Sequence, residues 1–462
     1  MINDIKLKIP ISIIYILIGI FAFYKFGPLL TSFIVIIPLL FVFNKPIYIF
    51  YICFVSIYIL DWLSGKLGFL PRQLTWLPEI VSIALVPYII RLFKGKKAVK
   101  EILFFGFLLI FASVSYFLNS DTINFAIFGA GIRNYFKFIP IFLLPFILDQ
   151  DQYRYIKIKF PKIIFLITLA QIPVTLVQRF IIYSSSGSGD PIGGTLGANA
   201  SGLLSQFIFF TIALIIAKML TKKIRKQEFL LLFIALMIPV VLNETKITLL
   251  LLIGLGITYY LFSKNEKLFN KIIIIIISII GVMLFIKVYT VIFRARTLER
   301  SLQYFINPVD TIYDRWYTKS GKLNRIPAII FAFSHITTNI YNAIFGIGIG
   351  NASHSFFNSA IGTYYKKYST LGIDGIYLAR HIWEWGIAGT ILWLTFFANL
   401  FRKSLIIEDK QYLYWYIGVF SVFIIGSIYN GNILTNSLGF YFWFLSGIIS
   451  REYYDQKKSI NN

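Results

Sequence analysis

Long runs of apolar residues, separated by short polar connections, make up most of the 462-residue chain. Many runs approach or exceed about 18 residues, the length that marks a membrane-spanning helix. The runs are continuous rather than alternating, which disfavours a membrane β-barrel. The pattern therefore predicts an all-α integral membrane protein with about fourteen transmembrane helices. The predicted spans cover residues 11–25, 28–44, 46–61, 74–92, 101–118, 125–148, 161–183, 193–217, 229–243, 246–263, 272–290, 376–400, 412–429 and 433–450.

One long polar segment, residues 291–375, interrupts this series of spans. It contains five arginines, the first at Arg294 and the last at Arg325, together with tyrosines and glycines. So much polar sequence is stable only outside the lipid, so we predict a large loop here. The chain then divides into a membrane domain of about eleven helices (1–290), this loop (291–375), three C-terminal helices (376–450) and a tail (451–462).

The charge distribution predicts how the chain is oriented. Lys and Arg number 44 against 20 Asp and Glu, a formal net charge of +24. When the N-terminus is placed in the cytoplasm, the basic residues concentrate in the connections that face the cytoplasm, as the positive-inside rule expects. This explains the charge without nucleic acid. It predicts that both termini are cytoplasmic and that the long loop is on the extracytoplasmic side. The richness in Ile, Phe, Lys, Asn and Tyr indicates a bacterial source, and so a bacterial cell (inner) membrane.

Several common kinds of site are missing from the sequence. Cys53 is the only cysteine, and the three histidines form no His-x-x-x-His pair, so we predict no metal site. The chain has no phosphate-binding P-loop motif, and no dinucleotide-binding glycine pattern between a strand and a helix. We therefore predict no cofactor. An enzyme with its working loop outside the cytoplasm needs a substrate that arrives already activated.

Three of the basic residues that lie within or at the end of predicted spans are candidates for function. Arg133 and Lys137 are four residues apart and so share one helical face, and Arg179 lies near the outer end of its span. An arginine at the bilayer centre costs about 2.5–3.5 kcal/mol, so each needs a reason to be there. For Arg133, that reason is either an anionic ligand or a structural ion pair.

Two further polar stretches lie near the outer ends of spans. A segment of small residues that includes Asn199 precedes one span, and it suits either anion binding at a helix N-terminus or tight helix packing. Glu244 and Lys246 form an outer turn, where they either pair with each other or contact a substrate.

Two motifs near the long loop resemble those of a known family. Arg325 stands about twenty residues before a Gly-x-Gly-x-Gly turn that runs from Gly346 to Gly350, and a polar stretch beginning at Asp374 leads to Glu384-Trp-Gly386. On these motifs and its topology, the chain resembles the bacterial O-antigen polymerase and O-antigen ligase superfamily. Ligases of that superfamily carry a His-Asn pair about eleven residues before the glycine matching Gly386. Here Gly375-Ile376 takes its place, which favours a polymerase.

The resemblance implies a metal-independent glycosyltransferase of GT-C-like architecture. Its substrate would be an oligosaccharide repeat unit on undecaprenyl pyrophosphate, polymerised into O-antigen, capsular or exopolysaccharide. The expected partners are this lipid-linked oligosaccharide, the lipid bilayer and a chain-length regulator protein. Asp374 and Glu384 are the candidate catalytic residues. The candidate substrate-binding residues are Arg133, Arg179, Arg315, Arg325, Lys246, Asn199 and His354.

Three other functions fit the same sequence features. One is a ligase-type transfer to a different acceptor. Another is a flippase or transporter of the lipid-linked oligosaccharide, supported by the many spans and the intramembrane cations. The large one-sided loop and the absence of a visible internal repeat weigh against a transporter. A structural or sensory membrane protein is the third alternative.

Overall fold

A computed structural model describes residues 46–65, 75–95, 99–119, 123–184, 191–197, 200–262, 316–318, 321–355, 357–431 and 434–461. This part of the chain is helical and contains no β-strand, only an isolated bridge between Tyr317 and Leu323. The α-helices are α1 Pro46–Gly65, α2 Leu77–Ile83, α3 Val86–Lys94, α4 Val99–Asn119, α5 Phe125–Phe136, α6 Ile139–Ile147, α7 Gln150–Val177, α8 Ser201–Leu220, α9 Lys226–Leu242, α10 Ile247–Phe262, α11 Arg325–Ile336, α12 Ile340–Phe345, α13 Thr363–Lys367, α14 Tyr377–Ile406, α15 Lys410–Tyr429 and α16 Asn436–Asn461.

Apolar helices in the described residues indicate a membrane protein, but they are fewer than the fourteen predicted. Four are long and apolar enough to cross a membrane, namely Lys100–Asn119, Gln150–Ile182, Ser201–Leu220 and Lys410–Tyr429. A fifth arises if α5 and α6, which meet at a bend of 44°, form one broken span. The predicted spans 11–25, 28–44 and 272–290 lie outside the described residues.

Prolines explain why two predicted spans are broken into shorter helices. The span predicted at 74–92 is two helices, α2 and α3, and Pro78 and Pro87 lie in their first turns. The span predicted at 125–148 bends where Pro140 begins α6. Proline has no backbone N–H and fixes φ, so it suits the first turn of a helix and disfavours continuation of the preceding one.

The C-terminal half of the chain also differs from the prediction in detail. Three helices, α11, α12 and α13, lie within the segment predicted as a loop. In addition, α16 continues to Asn461, through the segment predicted as a tail. Polar connections in the sequence therefore contain more helix than the hydropathy pattern alone indicates.

Helix α8 lies at the centre of the bundle. Its most apolar window is 89% buried, whereas the corresponding windows of α4 and α7 are 33% buried and so lie at the periphery. Large aromatic residues of α15 and α16 pack against it. The Trp415 indole N–H donates to the Phe210 carbonyl oxygen at 3.2 Å and to the Tyr441 hydroxyl at 3.0 Å. Aromatic packing with satisfied polar atoms thus fixes the helices around α8.

Ion pairs and hydrogen bonds join the helices at one end of the bundle, which we call the closed end. Lys403 of α14 bonds to Glu101 of α4, and its Nζ also donates to the Ser450 hydroxyl at 3.0 Å. Lys157 lies 2.9 Å from Asp409 and 2.7 Å from Glu452. Lys157, Lys403 and Asp409 belong to connections predicted to face the cytoplasm. Their contacts bring these connections together at one end of the bundle, while the side of the membrane stays a prediction.

Candidate functional site

The opposite end of the bundle, which we call the site end, brings together helix termini that are distant in sequence. The Asn243 side-chain amide, after α9, donates to the Ser201 carbonyl oxygen at the start of α8 at 3.1 Å. The Tyr377 backbone N–H, which begins α14, donates to the Asn430 carbonyl oxygen after α15 at 3.0 Å. These contacts place the turn that carries Lys246 beside the start of α8, and the turn that carries Asp374 beside the end of α15.

The Gly-x-Gly-x-Gly turn, residues 346–350, packs between helices at the site end, and we call it the glycine loop. Gly346, Gly348 and Gly350 have φ of +77°, +85° and +89°, a backbone region that favours glycine. A Cβ on Gly350 would lie 2.3 Å from the Ile127 carbonyl oxygen of α5. The glycines are therefore needed both for the turn and for close packing.

The other side of the glycine loop packs against the kink in α14. Gly386 has φ +62° inside the helix, and a Cβ there would lie 2.3 Å from the Gly346 backbone nitrogen. The Ile347 N–H donates to the Trp383 carbonyl oxygen at 2.8 Å. Gly386, part of the Glu384-Trp-Gly386 motif, thus has a structural role: without a side chain, it lets the glycine loop pack against α14.

Glu384, a predicted catalytic residue, is fully buried below the glycine loop. One carboxylate oxygen accepts from the Ser353 hydroxyl and, at 3.1 Å, from the Ala352 N–H. The other lies 3.9 Å from Nε of Arg380, an ion pair longer than a hydrogen bond. Glu384 therefore fixes the chain that follows the glycine loop.

Asp374, the other predicted catalytic residue, is partly buried in the turn before α14. It lies close enough to Tyr365 and Arg380 to interact electrostatically with both. Partial burial and the Asp374 carboxylate raise the pKa of Tyr365. Asp374 is thus the more accessible of the two predicted catalytic carboxylates, and Arg380 is a nearby cation that the sequence interpretation had not selected.

Arg133 forms an ion-pair cluster with Glu79 and Lys137. Its Nε lies 2.5 Å from one oxygen of Glu79, and its Nη2 lies 2.9 Å from the other. Lys137 approaches Glu79 at 3.1 Å and also donates to the Asn436 side-chain oxygen at 2.7 Å. The side chains of Glu79 and Lys137 are 8% and 9% exposed, whereas Arg133 is 44% exposed. One buried carboxylate therefore holds two cations, and one of the cations faces outward.

Arg179 pairs across the bundle with Glu244. The two side chains are 3.0 Å apart and each is 12% exposed. Arg179 lies in the π-helical turn Gln178–Ile182 that extends α7. The neighbouring Gln178 side chain donates to and accepts from the Gly194 backbone, at 2.8 and 2.9 Å. The small-residue segment before α8 is therefore held against the end of α7.

Arg325 begins α11 and is exposed. Its guanidinium carbon lies 3.7 Å from the centroid of the Tyr429 ring, a close cation–π contact. The Tyr429 ring also packs on Gly202, where a Cβ would lie 3.3 Å from it. Through Tyr429, Arg325 thus lies at the same end as Ser201 and the turn that carries Glu244.

The remaining predicted residues are less informative. Lys246 is exposed, and the exposed His354 ring lies 5.4 Å from the ring of Tyr365. Asn199 and Arg315 lie outside the described residues. No cluster of three or more His, Cys, Asp or Glu suited to a metal occurs in the part of the chain that the structure describes.

The sequence interpretation overlooked two residues of this end besides Arg380. Glu79 is an acid inside an apolar run, a signal for a buried partner. Trp76, just before α2, contacts Arg133, with the guanidinium carbon 5.2 Å from its ring centroid.

Comparison with known proteins adds no family assignment: no protein-family model matches the chain, and a search of curated proteins gives no significant match.

Proposed function

We propose that the protein polymerises oligosaccharide repeat units carried on undecaprenyl pyrophosphate, at the membrane face where the site end lies. The proposal is supported by Arg133, Arg179 and Arg325, which lie on helices whose termini meet at the site end. Each guanidinium is held by a carboxylate or an aromatic ring. Arginine suits bidentate contacts with phosphate, and a fixed guanidinium stabilises charge without reorganising. The resemblance to O-antigen polymerases supports the same reading.

In the proposed reaction, a hydroxyl of the acceptor sugar attacks the anomeric carbon of the donor unit. A new carbon–oxygen bond forms, and the bond from that carbon to the pyrophosphate oxygen breaks. Undecaprenyl pyrophosphate leaves with the electron pair, and its charge is stabilised by the arginines. The hydroxyl proton passes to a carboxylate, for which Asp374 is better placed than the buried Glu384. A single displacement inverts the anomeric configuration.

Two substitutions in cells test this proposal. Arg179→Ala and Arg325→Ala each should shorten the polysaccharide and cause single lipid-linked repeats to accumulate on the outer leaflet, with the protein present at its normal level. Each lost phosphate contact should reduce the rate on the order of 10²-fold. Gel analysis of polysaccharide length and mass spectrometry of the lipid-linked units measure these effects.

A matched control is Arg154→Ala, which removes an exposed arginine near the start of α7, at the closed end. It should leave polysaccharide length unchanged. Long chains of normal abundance in both site-end variants would contradict the proposal. Accumulation of repeat units on the inner leaflet would instead indicate a flippase.

A further inference from the structure

Two aromatic side chains from distant segments meet beside Arg133. Trp76 directly precedes α2, and Phe357 precedes the short 3₁₀-helix Asn358–Ala360. Their ring centroids are 5.7 Å apart, with the planes inclined at 59°. Phe357 is 50% exposed, so the pair presents aromatic surface outward.

The segment that carries Phe357 is fixed in place on α5. The Asn124 side-chain amide donates to the Ser359 carbonyl oxygen at 3.2 Å, and the same residue caps the first turn of α5. The Gly362 N–H donates to the Ser353 carbonyl oxygen at 3.0 Å, which ties the segment back to the chain held by Glu384. Phe357 is therefore a positioned residue and not the tip of a free loop.

Charge at the same place suits a phosphate group. Glu79 carries one negative charge against the two positive charges of Arg133 and Lys137, and both cations bond to it. The excess positive charge is most accessible at Arg133, because Lys137 is only 9% exposed. The Arg133 guanidinium also lies 5.2 Å from the Trp76 ring centroid, so the accessible cation and the aromatic pair are direct neighbours.

We propose that Trp76 and Phe357 bind the sugar that is attached directly to the pyrophosphate, while Arg133 binds the pyrophosphate itself. The inference rests on the proposed function and specifies one subsite within it. A pyranose presents an apolar face of C–H groups that packs on an aromatic ring, and phosphate pairs with arginine. In a lipid-linked saccharide these two groups are adjacent, as the aromatic pair and Arg133 are here.

Aromatic residues at a membrane surface also serve as anchors in the interface between lipid and water. An anchor would contact lipid headgroups whatever sugar they carry. A sugar subsite instead distinguishes a lipid pyrophosphate that bears a sugar from one that does not. Binding measurements with both lipids therefore separate the two roles.

The full-length protein in lipid nanodiscs is titrated with two probes, undecaprenyl pyrophosphate alone and the same lipid carrying one N-acetylhexosamine. The unsubstituted protein should bind the sugar-bearing lipid more tightly. Phe357→Leu should weaken binding of that lipid about three- to tenfold, or about 0.7–1.4 kcal/mol, and leave binding of the bare lipid unchanged. Trp76→Leu should weaken binding of the sugar-bearing lipid more than binding of the bare lipid, because Trp76 also contacts Arg133. Phe357→Tyr, which keeps the ring, should retain the preference.

Two controls complete the experiment. Arg133→Gln should weaken both lipids to a similar degree, since it removes a phosphate contact. Phe125→Leu, which alters another exposed phenylalanine at the start of α5, should change neither affinity.

The outcomes separate this subsite from the function on which it depends. Equal affinity of the unsubstituted protein for the two lipids overturns the sugar subsite while the polymerase proposal stands. Equal weakening of both lipids by the leucine variants also overturns it, and identifies the aromatic pair as a membrane anchor. Failure of the unsubstituted protein to bind either lipid contradicts the proposed function and the subsite together.

Discussion

Replacing Glu79 with glutamine should destabilise the protein more than replacing either of its cationic partners. Glu79 is 8% exposed and is bonded by both Arg133 and Lys137. Glutamine keeps the shape but leaves two cations close together without a counter-charge. Removing one partner of a buried ion pair costs about 3–5 kcal/mol. Because Arg133 is 44% exposed and can be hydrated, we expect a value near the lower limit, about 3 kcal/mol.

A double-mutant cycle with Lys137 tests the cause of that loss. Lys137→Met alone leaves the Arg133–Glu79 pair intact and removes the hydrogen bond to Asn436, so it should cost about 1 kcal/mol. In the double variant Glu79→Gln/Lys137→Met no buried cation remains unpaired, because Lys137 is gone and Arg133 is half-exposed. The double variant should therefore be more stable than Glu79→Gln alone, with a coupling energy of about 2 kcal/mol.

The assay is equilibrium unfolding of the purified protein in mixed micelles with increasing sodium dodecyl sulfate, followed by tryptophan fluorescence. Glu408→Gln, at an exposed position between α14 and α15, is the control and should change stability by less than about 0.5 kcal/mol. A loss of less than 1 kcal/mol in Glu79→Gln, or strictly additive effects in the cycle, would refute the assignment of Glu79 as the shared counter-ion.

Two further predictions concern packing and the closed end. Gly350→Ala should destabilise the protein by about 2–4 kcal/mol, because φ is +89° and the added Cβ would contact a backbone oxygen. The control Gly129→Ala should not destabilise the protein, because no atom lies within 4 Å of the added Cβ. Lys403→Met should cost about 3–5 kcal/mol because it strands Glu101, which is 2% exposed, and adding Glu101→Gln should recover most of the loss. The same unfolding assay measures the stability of all these variants. A smaller loss of stability in Lys403→Met than in Gly129→Ala would contradict the prediction for Lys403.

The sequence predicted helix positions better than helix continuity. The length of the apolar runs located α15 to within two residues, whereas the span predicted at 193–217 begins eight residues before α8. The breaks at α2/α3 and α5/α6 follow from Pro87 and Pro140, which the hydropathy pattern does not register. The positions of these prolines predict where the helices break. The angle of the break between α5 and α6, which is 44°, depends on tertiary packing and cannot be predicted in this way.

Partner identity was the part of the site that the sequence could not supply. Spacing put Arg133 and Lys137 on one face, but their counter-ion Glu79 comes from another predicted span. In the same way, Arg179 pairs with Glu244 across more than sixty positions, and neither residue has a local motif. A buried charge pairs with whichever opposite charge the fold brings near it. Spacing along the sequence therefore does not predict which residue on another span is its partner.

Basic residues at the two ends of the bundle differ in exposure, and this difference supports a ligand at the site end. Lys157 and Lys403, at the closed end, are less than one quarter exposed and lie against acids that neutralise them. At the site end, Arg179 is paired with an acid and only 12% exposed, but Arg133 and Arg325 each have a fixed partner and remain exposed. A cation that serves only stability gains nothing from combining fixed geometry with exposure, because exposed ion pairs contribute little. A cation that binds an anion gains from both, since fixed geometry lowers the entropy lost on binding and exposure admits the ligand.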